Sequence, residues 1–326
     1  MDECPSSDNP ISIARVACAG RGAYLLWTDS GEERLANLTG TFAETPVVGD
    51  WVRYEAATNR IRELIPRKNR LARKRVGRAT EEQVMAANVD VLLLVMALDH
   101  DFNIRRMERY LILAAETGAA PVIVLNKSDQ CADLKARLKE IEGITKAPVA
   151  VMSAIESETV AQLSKYVEPG QTAVLLGSSG VGKSTITNAL LGAARQAVSA
   201  VRDHDHRGQH TTTTRELFRM PGGWILIDTP GMRELEPWSS TEAVADVFSD
   251  IEKLAARCRY RDCQHLEEPA CEITKAVKRG RLDPARLASF RKLTTQLDEQ
   301  ARKRIGKIGQ KSMRNLQKLR DTTQDD

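Results

Sequence analysis

The sequence predicts a multidomain α/β protein with three parts: an N-terminal OB-fold β-barrel, a parallel-sheet α/β domain built around a phosphate-binding loop, and a C-terminal zinc-binding helical domain. Three observations carry this prediction. Residues 11–66 hold five short strand-like segments separated by turn residues, the pattern of a small closed barrel, OB-type or else SH3-like. Residues 84–238 alternate apolar runs with helical patterns, and one run leads into Gly177-Ser178-Ser179-Gly180-Val181-Gly182-Lys183-Ser184, a strand–glycine loop–helix unit of a parallel sheet. Cys258, Cys263, His265 and Cys271 then stand as C-x4-C-x-H-x5-C in a stretch poor in apolar residues, which needs a metal where it lacks a core.

In chain order, residues 1–10 are polar and proline-containing and read as a disordered tail. The barrel strands are expected at Ile11 to Ala17, Tyr24 to Thr28, Glu33 to Leu35, Val47 to Tyr54 and Ile61 to Ile65. Residues 67–83 read as an exposed basic loop or linker, because 67–78 (RKNRLARKRVGR) contain seven basic residues and no acid. The α/β domain follows over 84–238, and 239–326 hold the zinc-binding part with a final basic helix.

The loop at 177–184 fits GxxxxGK[ST], and each part has a physical reason. Gly177 and Gly182 let the backbone curl so that N–H groups face phosphate oxygens. Lys183 would reach the β- and γ-phosphates and Ser184 would offer its hydroxyl to Mg²⁺, with Thr185 opening the helix behind it. Thr172 to Leu176 is the apolar strand before the loop, and Thr185 to Leu191 is the start of the helix.

Asn126-Lys127-Ser128-Asp129 follows the apolar run Pro121 to Leu125, at the strand end where ligands bind in such sheets. Asp129 would accept from guanine N1–H and the exocyclic amine, a donor pair adenine lacks. Asn126 and Lys127 would brace base and loop. Ser153-Ala154, after Val149 to Met152, reads as a backbone contact to the base oxygen. Trp224 to Ile227 leads into Asp228-Thr229-Pro230-Gly231; Asp228 would hold Mg²⁺ through water, and the Gly231 N–H would sense the γ-phosphate. The base loop precedes the phosphate loop by about fifty residues, the reverse of the ordinary order, so the domain is a circularly permuted P-loop GTPase.

Between these lies Arg207 to Thr214 (RGQHTTTT), a switch-like loop in which one threonine would ligate Mg²⁺. Where Ras-like enzymes carry a water-orienting glutamine after the DxxG glycine, this chain has Met232. Intrinsic hydrolysis is therefore expected to be slow unless another group orients water. His210 is the candidate, with His204 and His206 as alternates.

The four-residue Cys/His set leaves no open coordination position, so it reads as one structural Zn²⁺ and not a catalytic one. The other cysteines, Cys4, Cys18 and Cys131, are scattered, which argues against a disulfide framework. Net charge is only +4 over 326 residues, but it is unevenly placed. Besides 67–78, residues 301–320 contain eight basic residues and no acid. With a barrel and an arginine-rich zinc stretch alongside, these runs point to RNA held mainly through phosphates, with Arg67, Lys68, Arg70, Arg73, Lys74, Arg75 and Arg78 as candidate contacts. No signal-peptide pattern is seen, and the longest apolar run, Val91 to Leu98, is too short to span a bilayer. A cytoplasmic monomer with no membrane partner is expected.

The order NKSD, SA, GSSGVGKS, RGQHTTTT, DTPG and CxxxxCxHxxxxxC behind a small barrel resembles the circularly permuted, ribosome small subunit-dependent GTPase A family (RsgA-type, TRAFAC class), over roughly residues 11–290. The resemblance implies a GTP/GDP cycle, a late checkpoint in assembly of the small ribosomal subunit, contacts to its rRNA, and hydrolysis that is slow alone, stimulated by the subunit and followed by release. It places the family's proposed catalytic histidine at His210. Gly180 stands where potassium-activated GTPases carry an asparagine, so no potassium requirement is implied. Two other readings stand beside it: a GTPase acting on another RNA such as tRNA, and a nucleotide-gated RNA-binding protein with little turnover.

Overall fold

The protein is described here by a computed structural model covering residues 11–20, 22–75, 78–202, 215–228, 240–266, 268–299 and 302. The expected N-terminal tail, the switch-like loop with His210, residues 229–231 of DTPG and the basic segment from 303 onward lie outside the described residues. The chain divides into two compact units, residues 1–75 with 81–237, and residues 76–80 with 238–326.

In the first unit, alternating apolar residues make a barrel. β1 (Ile11–Ala19), β2 (Ala23–Thr28), β3 (Glu33–Leu38), β4 (Trp51–Glu55) and β5 (Arg60–Leu64) lie close to the expected strands. Antiparallel pairs β1–β2, β2–β3, β4–β5 and β1–β4, with β3–β5 parallel, close the ring in the order β1-β2-β3-β5-β4. That order is the OB arrangement. Val16, Tyr24, Leu26, Val52, Tyr54 and Ile61 point inward and form its core, as a period of two demands.

The basic run is not a linker. β6 (Arg70–Arg75) and β7 (Arg78–Ala87) form a two-stranded sheet of their own. Its base is tied by Asn69, whose side chain donates to Val89 O (2.7 Å) and accepts from Val89 N (2.8 Å). Arg70 pairs with Glu82 through two hydrogen bonds of 2.8 and 3.0 Å. The acids that pair with it, Glu44, Asp50, Glu82 and Asp90, all lie outside the run, so composition alone reads it as a solvated loop.

The α/β part contains β8 (Val91–Ala97), α1 (Ile104–Thr117), β9 (Ala120–Asn126), α2 (Leu134–Glu142), β10 (Val149–Val151), α3 (Ser157–Ala161), β11 (Thr172–Leu176), α4 (Lys183–Arg202), β12 (Glu216–Arg219) and β13 (Ile225–Asp228). The strands run β10-β9-β8-β11-β13-β12, parallel except for the antiparallel β12–β13 pair. Every residue of β8 and β11 is buried, as expected for parallel strands covered on both faces. Helix α4 is interrupted at Gly192, which has φ 47°.

Barrel and α/β sheet are continuous. β1 bulges between Val16 and Cys18 and pairs Cys18 with Glu216 of β12, so that eleven strands form one sheet. Arg15 of β1, 6% exposed, donates to Thr172 Oγ1 (2.7 Å) at the start of β11, and to Gly49 O and Asn88 O. Burial lowers its pKa to about 10, against the raising influence of Asp90 and Asp50.

The second unit is helical: α5 (Thr241–Val247), α6 (Ser249–Ala255), α7 (Glu272–Lys278) and a helix over 284–299. Arg286 knits it by bonding both Asp250 oxygens (2.9 and 2.7 Å) and Val247 O while lying over the Phe248 ring. Among the described residues no helix is long and apolar enough to cross a membrane.

Candidate functional site

The glycine loop joins the central strand β11 to α4, so its backbone curls at the carboxyl end of the sheet. Two glycines there are sterically required. A Cβ on Gly177 would lie 2.5 Å from Val95 O, and one on Gly182, at φ +96°, would lie 2.2 Å from Asn126 Nδ2. Lys183 Nζ donates to Gly177 O (2.7 Å) and Ser178 O (2.6 Å), folding its ammonium over the loop. Val181 is buried, whereas Ser179, Gly180, Ser184 and Thr185 are exposed on the loop and the first turn of α4.

The base-loop residues come to the same end of the sheet. Asn126, at the end of β9 and almost fully buried, donates from Nδ2 to Val181 O (2.8 Å) and accepts at Oδ1 from Ala154 N (2.9 Å). One side chain thus ties the base loop, the Ser153-Ala154 segment and the phosphate loop together. Lys127 takes a left-handed conformation (φ 61°) and donates to Asp99 Oδ2 (2.8 Å), which holds that carboxyl below the usual range. Ser128 begins a single 3-10 turn with Asp129, whose Oδ1 accepts from Ser153 Oγ (2.6 Å). Asp228 closes β13, the strand paired in parallel with β11. A hydroxyl at Ser184 and a carboxylate at Asp228 are the hard oxygen donors Mg²⁺ takes. Gly231 and His210 lie outside the described residues.

Sequence reasoning missed the segment after β8. Asp99 serves Lys127, and Asp101 and Arg106 reach Ser178 of the phosphate loop. No motif announces these residues; they follow the apolar strand 91–97 in a stretch whose acids and arginines read as surface charge.

In the second unit the four predicted zinc residues converge. Their ligand atoms all lie within 4.8 Å of one another. Cys258 Sγ is 3.9 Å from Cys271 Sγ, and the two sulfurs are 3.6 and 3.7 Å from His265 Nδ1. A tetrahedral zinc with ordinary bond lengths sets S–S edges of about 3.8 Å and S–N edges of about 3.5 Å. The donor set fits that ion. The local chain is shaped for it: His265 and Ala270 sit at φ 61° and 66°, and Cys271 caps α7, accepting from Thr274 N (3.4 Å). Burial raises the Cys271 thiol, but hydrogen bonding at Thr274, His265 and Cys263 together outweighs it and brings its pKa to about 6. Arg291 supports the loop from behind by donating to His265 O.

The candidate RNA contacts divide. Arg67 does not face solvent: its side chain is 8% exposed and bonds both oxygens of the fully buried Asp50 (2.8 Å each), as well as Glu44. Arg67 is thus one half of a buried ion pair and not an exposed RNA contact. Lys68 is well exposed beside Asp90, Arg70 pairs with Glu82, and Arg73 donates to Gln83. The side chains of Lys74, Arg75 and Arg78 lie outside the described residues.

A phosphate loop on the central strand, a base loop on the next strand but one and a metal-type carboxylate on the other neighbour, met in permuted chain order, define a circularly permuted P-loop GTPase. A family model described as RsgA GTPase matches residues 64–238. The chain belongs to the RsgA GTPase family. A relative named small ribosomal subunit biogenesis GTPase RsgA from Opitutus terrae is 44% identical over 319 residues, 92% of this chain and 87% of its own. One of the same name from Xanthomonas euvesicatoria pv. vesicatoria is 45% identical over 270 residues, 82% of this chain and 74% of its own. Among solved structures, YjeQ from Thermotoga maritima superposes with TM-score 0.65 at 24% identity, covering 88% of this chain and 99% of that one. YloQ, a circularly permuted GTPase, gives TM-score 0.64 at 22% identity, covering 91% and 98%. The two structures share the fold.

Proposed function

We propose that this GTPase binds the small ribosomal subunit in its GTP state, acts late in the subunit's assembly, and hydrolyses GTP to GDP and phosphate to drive its own release. The observation that carries this reading is the single site formed by the three segments that Asn126 ties together, in a chain whose relatives bear the small-subunit name. Asp129 reads guanine, with its carboxylate aimed by Ser153. The loop 177–184 receives the phosphates, Lys183 turning from the Gly177 and Ser178 carbonyls to the β/γ oxygens. Ser184 and Asp228 would hold Mg²⁺, which would supply neutralisation of the phosphate charge. Gly231 senses the γ-phosphate, and His210 orients the attacking water in place of the missing glutamine at Met232.

The barrel, the exposed face of the β6–β7 hairpin and the second unit, held by one Zn²⁺, supply rRNA contacts dominated by phosphate neutralisation. The protein works as a cytoplasmic monomer. The test is GTP turnover at fixed salt, alone, with small subunits, and with large subunits. Strong stimulation by small subunits only is the expected result; stimulation by tRNA instead assigns another RNA target. GTP binding without turnover under any condition identifies a binding switch, the alternative that Met232 in place of glutamine leaves open. In the same assay His210→Ala keeps GTP binding and loses most of the stimulated rate; an unchanged rate removes His210 from the mechanism.

A further inference from the structure

The phosphate loop is gripped at its second residue by a group that no nucleotide motif contains. Helix α1 begins behind Asn103, whose side chain accepts from Arg106 N (3.0 Å) and so fixes the first turn. From that turn Arg106 Nη1 donates to Ser178 Oγ (2.8 Å) and to Asp101 Oδ2 (2.5 Å). Ser178 Oγ in turn donates to the same Asp101 oxygen (2.8 Å). The triangle uses both the donor and an acceptor position of the hydroxyl. The hydrogen bond from Arg106 holds the Asp101 carboxyl below its ordinary range, so the pair is ionised at neutral pH.

We propose that Arg106, with Asp101, is a positioning residue of the GTPase site that acts through Ser178, holding the phosphate loop in the curvature that receives the nucleotide. This rests on the phosphate-loop reading of residues 177–184. The loop has two other fixed points: Gly177 packed against Val95 O, and Val181 O bonded by Asn126. Between them Ser179 and Gly180 are exposed, and Ser178 is the residue through which a side chain holds that stretch. Lys183 also steadies it, by bonding the Gly177 and Ser178 carbonyls. When Lys183 turns to the phosphates those two bonds are lost, while the Arg106–Asp101 grip on Ser178 stays in place. Because the loop's N–H groups meet the phosphates common to both nucleotides, the grip serves GDP and GTP alike.

The test measures GDP and GTP affinity and steady-state turnover of the full chain. Ser178→Ala is the primary variant, since it removes the hydroxyl and leaves the Arg106–Asp101 pair in place. Ser178→Ala and Arg106→Ala are each expected to raise both dissociation constants about tenfold, the loss of one hydrogen bond to a charged group. The turnover defect then appears in KM, with kcat falling less than about twofold. The double variant is no weaker than either single one, because both remove the same grip. Ser178→Thr restores the affinity, and Arg106→Lys restores only part of it, since a single ammonium does not reproduce the planar fork.

Wild-type affinity in Ser178→Ala, additive losses in the double variant, or no rescue by threonine would each overturn the proposal. The underlying reading has its own control. If Lys183→Ala binds GDP as tightly as wild type, the phosphate-loop assignment fails and the grip with it. If Lys183→Ala loses binding while Ser178→Ala is indifferent, the grip alone fails.

Discussion

Asn126 and Gly182 are a matched pair: the amide nitrogen occupies the space in which any other residue at 182 would place its Cβ. Gly182→Ala must therefore displace the amide that bonds Val181 O, and must also hold a left-handed φ that alanine disfavours. Nucleotide affinity should fall by more than about tenfold, read by titration with a fluorescent GDP. Asp129→Asn tests base recognition separately. An amide in place of the carboxylate no longer pairs with the two guanine donors but pairs with the C2 carbonyl of xanthine, so GTP binding is lost and XTP binding gained. If XTP binds no better than to wild type, Asp129 does not read the base. Acid sensitivity also belongs at this scale. Asp99 and Asp101 have folded pKa values depressed by Lys127 and Arg106. Their stabilising contribution is thus complete above the ordinary carboxylate value and is lost as pH falls through the lower folded values. The stability these two carboxyls supply, read by urea unfolding, should hold from pH 8 to 5 and decline only below about pH 4, judged against the ordinary carboxylate pKa. A decline centred on pH 6 would implicate a different group.

The hairpin β6–β7 shows where the sequence was legible and where it was not. Periodicity put a strand in each of the five places, because alternation over half-buried strands is a local property; the bounds differ, most at β4, which begins at Trp51 and not at Val47. The run 67–78 carries no such alternation, and its stabilising partners, Asp50, Glu82 and Asn88, are distant in sequence. The phosphate, base and zinc residues were legible because their chemistry fixes both type and spacing. The Arg106–Asp101–Ser178 triangle was not, since a separation of 72 residues between Arg106 and Ser178 leaves no local pattern. Arg67→Ala tests the buried ion pair with Asp50. Removing one partner of a buried pair leaves Asp50 uncompensated, at a cost of about 3 kcal/mol, measurable by urea unfolding. Unchanged stability would return Arg67 to the surface.

At the scale of the whole molecule, the second unit has two supports of different kinds, the Arg286–Asp250–Phe248 cluster and the Cys258–Cys263–His265–Cys271 set. Chelation should therefore loosen residues 258–271 while GDP binding in the first unit survives; elemental analysis should give one zinc per chain, and Cys263→Ala should lower it. Metal-free protein with an unaltered melting profile would contradict the site. The first unit is bound differently, by strand pairing. β12 is four residues long, lies last in the α/β order, and has β1 of the barrel as its outer neighbour. An uncovered edge of that kind offers free N–H and C=O groups to any other chain. Through the Cys18–Glu216 pairing, β1 of the barrel occupies part of that edge. A version trimmed to begin at β8 would keep every nucleotide motif and leave the outer side of β12 without its barrel neighbour.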